Sequence, residues 1–144
     1  MMIDIFEVSA ADEKTLRAIN NLIPQLSQSA SIINEAYLCK ILESDRTKLF
    51  FAQEKDKVLG MLTLVLFSIP TGTKAWVEDV VVDQSARGKG VGVTLMNHAV
   101  GVAENCGAMS VDLTSRPSRE AANQLYKKLG FRTRETNVYR FKCN

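Results

Sequence analysis

Apolar residues along the chain change their period several times, and each change marks an element. Ile3, Ile5 and Val8 space a short opening strand, and residues 9–12 then offer a helix start with an acidic first turn. Leu16, Ile19, Ile23 and Leu26 recur at helical spacing, so one face of a first helix is expected to be buried, with Pro24 and the polar run QLSQSAS ending or bending it. Ile33, Tyr37 and Ile41, four apart, predict a second helix over residues 32–43. TKLFFAQE and KVLGMLTLVLF, residues 47–54 and 57–67, read as a hairpin that turns at Lys55 and Asp56. The second run is apolar on both faces, which suits a central strand covered from each side.

Pro70 and Gly72 place a loop at residues 69–73, after which residues 76–106 give an apolar strand, a turn with three closely spaced glycines, and a long amphipathic helix. Leu95, Ala99, Val102 and Cys106 form the apolar stripe of that helix, which Gly107 closes. Met109, Val111 and Leu113 alternate with polar residues as a half-buried strand. Pro117 and Ser118 open a fourth helix through Ala122, Leu125 and Leu129, closed by Gly130, and residues 131–135 and 138–141 read as two final strands. The order predicts a mixed α/β fold in three layers, α-β-α, around a mainly antiparallel sheet.

Composition narrows the reading. A chain of 144 residues, 46% apolar and without a linker-like tract, is expected to form a single domain over residues 1–144. A formal charge of +2 gives little support to a nucleic-acid role. Cys39, Cys106 and Cys143 lack metal-type spacing and His98 is the single histidine, so no metal site is expected. The N-terminal residues lack a signal-type pattern and no apolar run approaches the roughly 20 residues that span a bilayer, so no membrane role and a cytoplasmic setting are expected.

The chemistry concentrates in the glycine turn. Gly88, Gly90 and Gly92 let backbone pack against a bulky anion, and the N–H groups of a helix's first turn have no intrahelical acceptor, so a phosphate or pyrophosphate fits there. The spacing is wrong for a dinucleotide fingerprint, because position 93 is Val93 where G-x-G-x-x-G needs its third glycine. A P-loop fails too, since Gly88-Lys89 is followed by Gly90 in place of Ser or Thr.

Arg87-Gly88-Lys89-Gly90-Val91-Gly92 closely resembles the arginine/glutamine-x-x-glycine-x-glycine signature of the GCN5-related N-acetyltransferase (GNAT) family. The preceding strand, Val77-Glu78-Asp79-Val80-Val81-Val82, stands where that family has it, and Leu125-Tyr126-Lys127-Lys128-Leu129-Gly130-Phe131 looks like its C-terminal tyrosine-x-x-x-glycine-phenylalanine element. The match is specific over residues 76–131. The resemblance implies an acetyl-CoA-dependent N-acetyltransferase of the GNAT fold, with splayed central strands and direct transfer to a primary amine in a ternary complex. It implies that Arg87, Gly88, Lys89, Gly90, Val91, Gly92 and Val93 hold the pyrophosphate, and that the backbone of Val80, Val81 and Val82 meets the pantetheine arm and the thioester oxygen.

An alkylammonium, with a reference pKa of about 10.4, must lose its proton before it can attack, and Glu78 is the first candidate base with Asp79 the second. Strand alternation sends these two acids to opposite faces. Tyr126 corresponds to the tyrosine the family uses to protonate the departing thiolate; a core aromatic with a satisfied hydroxyl is the plainer role. Arg119 stands where many members carry a pantetheine-binding asparagine, so that contact does not carry over, and Asn123 is as well explained by capping. A small-molecule amine is the first acceptor expected and a protein amino group the second. A regulatory module that binds acyl-CoA without catalysis is the rival class. The last strands, residues 132–142, offer a surface for a homodimer.

Overall fold

The computed structural model describes residues 2–144, which divide into two compact units, one running to Thr114 and one from Ser115 to Asn144. The first unit is built on a five-stranded sheet of β1 (Asp4–Glu7), β2 (Thr47–Glu54), β3 (Lys57–Ile69), β4 (Gly72–Val82) and β5 (Val111–Asp112), paired in sequence order. The first three pairings are antiparallel and β4 with β5 is parallel. Helices α1 (Glu13–Leu26) and α2 (Glu35–Glu43) precede β2, and α3 (Val91–Asn105) links β4 to β5.

The pleat of β3 shows how the layers form. Met61 joins Leu49, Phe51 and Val81 in a cluster with Ile19, Leu22 and Ile23 of α1 and Leu38 of α2. Gly60, one residue away and hence on the other face, approaches Val91 and Leu95 of α3. The sheet of the first unit therefore carries α1 and α2 on one face and α3 on the other. Fully burying a leucine such as Leu22, Leu38 or Leu95 contributes about 1.5–3 kcal/mol, so these contacts fix the helices to the sheet.

Local chemistry sets the helix ends. Asp12 caps α1, its carboxylate accepting from the Thr15 N–H at 2.8 Å, and Asn34 caps α2 through the Tyr37 N–H at 2.9 Å. The cap at Asn34 starts α2 later than its apolar spacing suggests. Its buried face also differs from expectation: Leu38 is inside while Tyr37 is 52% exposed. On α3 the buried line runs Val91, Leu95, Ala99 and Ala103, leaving Cys106 exposed in the C-terminal cap. There the Gly107 and Ala108 N–H groups donate to the carbonyls of Glu104 and Ala103, a Schellman closure with Gly107 at φ +83°.

The second unit holds α4 (Glu120–Lys128). Gly130, at φ +99°, and Phe131 close it in the same way, their N–H groups donating to the carbonyls of Lys127 and Tyr126. The two strands expected at residues 131–135 and 138–141 are not formed. Alternation gives a segment a strand-like pattern but no ladder partner, and here Val138, Tyr139 and Phe141 are 71%, 87% and 92% exposed.

Candidate active site

The central feature is a fault in β4. Glu78 pairs with Thr63 and Val81 with Met61, so three steps along β4 match two along β3. This is a β-bulge, and Asp79 inside it has φ +51°, a left-handed conformation that Asp tolerates better than most residues. The bulge turns the strand over. Val77, opposite Leu64, lies on the α3 face, whereas Val81, opposite Met61, joins the α1 cluster. Strict alternation of Glu78 and Asp79, expected from the sequence, is therefore broken at Asp79.

Backbone directions change with it. The Ala75 N–H donates toward β5, to Ser110 O at 3.0 Å, while the Asp83 N–H donates toward β3, to Leu59 O at 2.7 Å. Counting back from Asp83, Val81 also faces β3, and the N–H groups of Val80 and Val82 point toward the β5 side. Among the described residues, β4 and β5 pair only at Ala75 with Val111 and Trp76 with Asp112. From Val77 onward β4 thus presents an edge that β5 does not cover.

Glu78 and Asp79 are exposed at the bulge. The Trp76 indole, two residues back on the same face as Glu78, donates from Nε1 to Glu78 Oε2 at 2.5 Å and fixes the direction of that carboxylate. Partial withdrawal from water, and then the charge of Glu78, raise the Asp79 carboxyl above its ordinary range.

Beyond β4 a short 3-10 turn, Gln84–Ala86, leads to the glycines. Gly88 and Gly90 have φ +80° and +82°, and a Cβ on either would meet only open space. Their conformation requires glycine, and the room above them admits a large anion. Gly90 caps α3 without a side chain, and the first intrahelical bond is from the Thr94 N–H to Gly90 O at 3.1 Å, so the N–H groups of Val91, Gly92 and Val93 lack helical acceptors. Arg87 and Lys89 are exposed beside them, with Arg87 Nε 3.4 Å from Val82 O. A pyrophosphate suits this site by charge and by room, and an amide-bearing arm suits the uncovered edge of β4.

Two contributors escaped the sequence reading. Asp83 is 7% exposed and accepts from Gln25 Nε2 at 2.8 Å, from the Ser85 N–H at 3.1 Å and from the Ser85 hydroxyl. Gln25, in the last turn of α1, also accepts from the Gln84 N–H at 2.9 Å. The Asp-x-Ser spacing of Asp83 and Ser85 is a readable turn signal, but nothing in the sequence marks Gln25 as its partner. Tyr126 belongs to the second unit, where it is buried on α4 with its ring edge-on to Phe131, centroids 6.1 Å apart. Asn123 is committed locally, donating to the carbonyls of Arg116 and Arg119 at 2.9 and 2.8 Å. Among the described residues no group of three or more His, Cys, Asp or Glu could hold a metal ion, and no helix is long and apolar enough to cross a membrane.

Known proteins resemble this chain in sequence and in fold. The model of the acetyltransferase (GNAT) family matches residues 16–131. Glucosamine 6-phosphate N-acetyltransferase of Trypanosoma brucei brucei is 30% identical over 140 residues, covering 92% of each chain. L-2,4-diaminobutyric acid acetyltransferase of Marinococcus halophilus is 36% identical over 94 residues, 64% of this chain and 52% of that one. Among solved structures, a putative acetyltransferase from Agrobacterium tumefaciens str. C58 superposes with a TM-score of 0.87 at 22% identity, covering 96% of this chain and 99% of that one, a likeness of fold. The family model spans the strand, the glycine turn and α4 together, and the chain is an N-acetyltransferase belonging to the GNAT family.

Proposed function

We propose that the chain transfers the acetyl group of acetyl-CoA to a primary amine of a small molecule, directly and within a ternary complex. The observation that carries this reading is the uncovered edge of β4, which runs from the acids at the bulge to the glycine turn at the start of α3. Relatives named for glucosamine 6-phosphate and for diaminobutyric acid favour a small amine over a protein amino group.

The acetyl-CoA thioester supplies an activated acyl carbon. In the proposed reaction Glu78, held by Trp76, takes a proton from the ammonium so that the amine nitrogen can attack that carbon. The outward N–H groups of Val80 and Val82 are donors for the oxygen that becomes negative; being backbone, they need no reorganisation as charge develops. The N–C bond forms and the nitrogen releases its second proton to water, the C–S bond breaks, and Tyr126 gives its hydroxyl proton to the departing thiolate and regains one from solvent. Gly88, Gly90 and the N–H groups of Val91, Gly92 and Val93 hold the pyrophosphate, with Arg87 and Lys89 offsetting its charge. Two copies of the chain pair through residues 132–142, whose exposed Val138, Tyr139 and Phe141 favour this arrangement.

Tyr126→Phe is expected to lower turnover by about 100-fold or more while calorimetry shows CoA binding nearly unchanged. Glu78→Gln, which removes the base but keeps an acceptor for the Trp76 indole, is expected to lower turnover with CoA binding nearly unchanged, and a variant as fast as the wild type would refute Glu78 as the base. Weaker CoA binding with unchanged turnover at saturation would refute the Tyr126 assignment. CoA release across a panel of amino sugars, diamino acids and peptides identifies the acceptor class, and activity confined to peptides would overturn the small-amine reading.

A further inference from the structure

Asp83 is a carboxylate taken out of water in a chain whose proposed chemistry does not use it. Acids are seldom buried unless their charge is satisfied, and its partners show what satisfies it. Lys57 Nζ lies 3.9 Å from Asp83 Oδ2, but that lysine side chain is 62% exposed, so the ion pair contributes little. The close contacts are hydrogen bonds: Ser85 gives its N–H and hydroxyl to one carboxylate oxygen, and Gln25 gives Nε2 to the other. Gln25 then uses its own carbonyl oxygen to accept from the Gln84 N–H. One amide on α1 thus grips two consecutive residues of a turn that lies 58 and 59 positions further along the chain.

That turn is the approach to the glycines. Its upstream end is fixed where the Asp83 N–H joins β3, and its downstream end where Val91 packs against Gly60. Between them lie Gly88 and Gly90, whose backbones have more freedom than any other residue's. We propose that Gln25 and Asp83 form a strap by which α1 holds residues 84–90 in the conformation that receives the pyrophosphate, making Gln25 a positioning residue for acetyl-CoA. The inference rests on the pyrophosphate reading of residues 87–93. Gln25 touches no phosphate; it fixes the turn that sets Arg87, Gly88 and Gly90 against the phosphate, and a surface that must first be ordered binds an anion less well than one already aligned.

The test compares two donors. Acetyl-CoA carries the pyrophosphate, whereas S-acetylpantetheine carries the same thioester and arm without it. Gln25→Ala is expected to weaken CoA binding measured by calorimetry, and to raise the KM for acetyl-CoA, by about three- to tenfold, the range of one or two lost hydrogen bonds. Its kcat at saturating acetyl-CoA and its kcat/KM for S-acetylpantetheine stay at the wild-type level. Asp83→Asn, which keeps an acceptor for Gln25, is expected to retain most of the CoA affinity, while Asp83→Ala loses it as Gln25→Ala does. A Gln25→Ala protein with lowered melting temperature and unchanged CoA affinity would overturn the strap, as would an equal loss with both donors. A wild-type protein that fails to bind CoA would instead remove the pyrophosphate reading, and the strap with it.

Discussion

Two aspartates four residues apart have been pushed in opposite directions. Hydrogen bonds from Gln25 and then Ser85 hold the Asp83 carboxyl below its ordinary range despite burial, whereas withdrawal from water and the neighbouring Glu78 raise that of Asp79. For Asp83 the folded pKa lies below the unfolded value of about 3.8, so the unfolded chain takes up the proton first as pH falls. Its contribution is complete above that value and is lost as pH falls through the folded pKa. Urea unfolding followed from pH 6 to pH 3 should therefore show wild-type stability dropping more steeply than that of Asp83→Asn. A wild-type curve no steeper than the variant's would show that the carboxylate is not held in this way. For Asp79 the sign reverses: the stability it subtracts appears as pH rises through its raised folded pKa, the penalty of holding an acid partly out of water, beside a second acid, at the bulge.

Among the elements, α3 depends most on a single residue. A Cβ at Gly60 would come within 2.9 Å of the Val81 carbonyl oxygen and 3.2 Å of both Leu95 and Val91, so Gly60→Ala must shift the β4 backbone and crowd the start of α3. A loss of about 1–3 kcal/mol is expected in chemical denaturation, with weaker CoA binding because Val91 begins the helix proposed to hold the pyrophosphate. Unchanged stability would mean that α3 has room to move. The hairpin of β2 and β3, the helix closures at Gly107 and Gly130 and the glycine turn were legible because each depends on local pattern and turn chemistry. The buried face of α2 was not: Tyr37 and Ile41 fit a helical stripe as well as Leu38 does, and only packing against Leu49 and Phe51 makes the choice. Nor was the bulge, since Glu78-Asp79 reads as ordinary alternation until the register with β3 is known. The final strands were overcalled for the complementary reason, that period two in residues 131–141 is a property of the segment while a ladder is a property of a pair.

For the molecule as a whole, the proposed pairing of two copies through residues 132–142 can be tested directly. A homodimer through this segment predicts a sedimentation coefficient that rises with concentration, and loss of that rise in the triple variant Val138→Ser, Tyr139→Ser, Phe141→Ser, with melting of the rest of the chain little changed. A wild-type chain that stays monomeric at high micromolar concentration would exclude it. The uncovered edge of β4 acts on the molecule in another way. Among the described residues the backbone from Val77 to Val82 is not paired with β5, and an acyl donor lying along it, as proposed, would bind the folded chain but not the unfolded one. Mass action then adds about 2.7 kcal/mol of stability when the donor stands at a hundred times its dissociation constant. With acetyl-CoA as that donor, as proposed, a chain of ordinary marginal stability would be protected from unfolding and proteolysis while the donor is plentiful and cleared faster when it is scarce, so that the amount of protein would follow the supply of the donor.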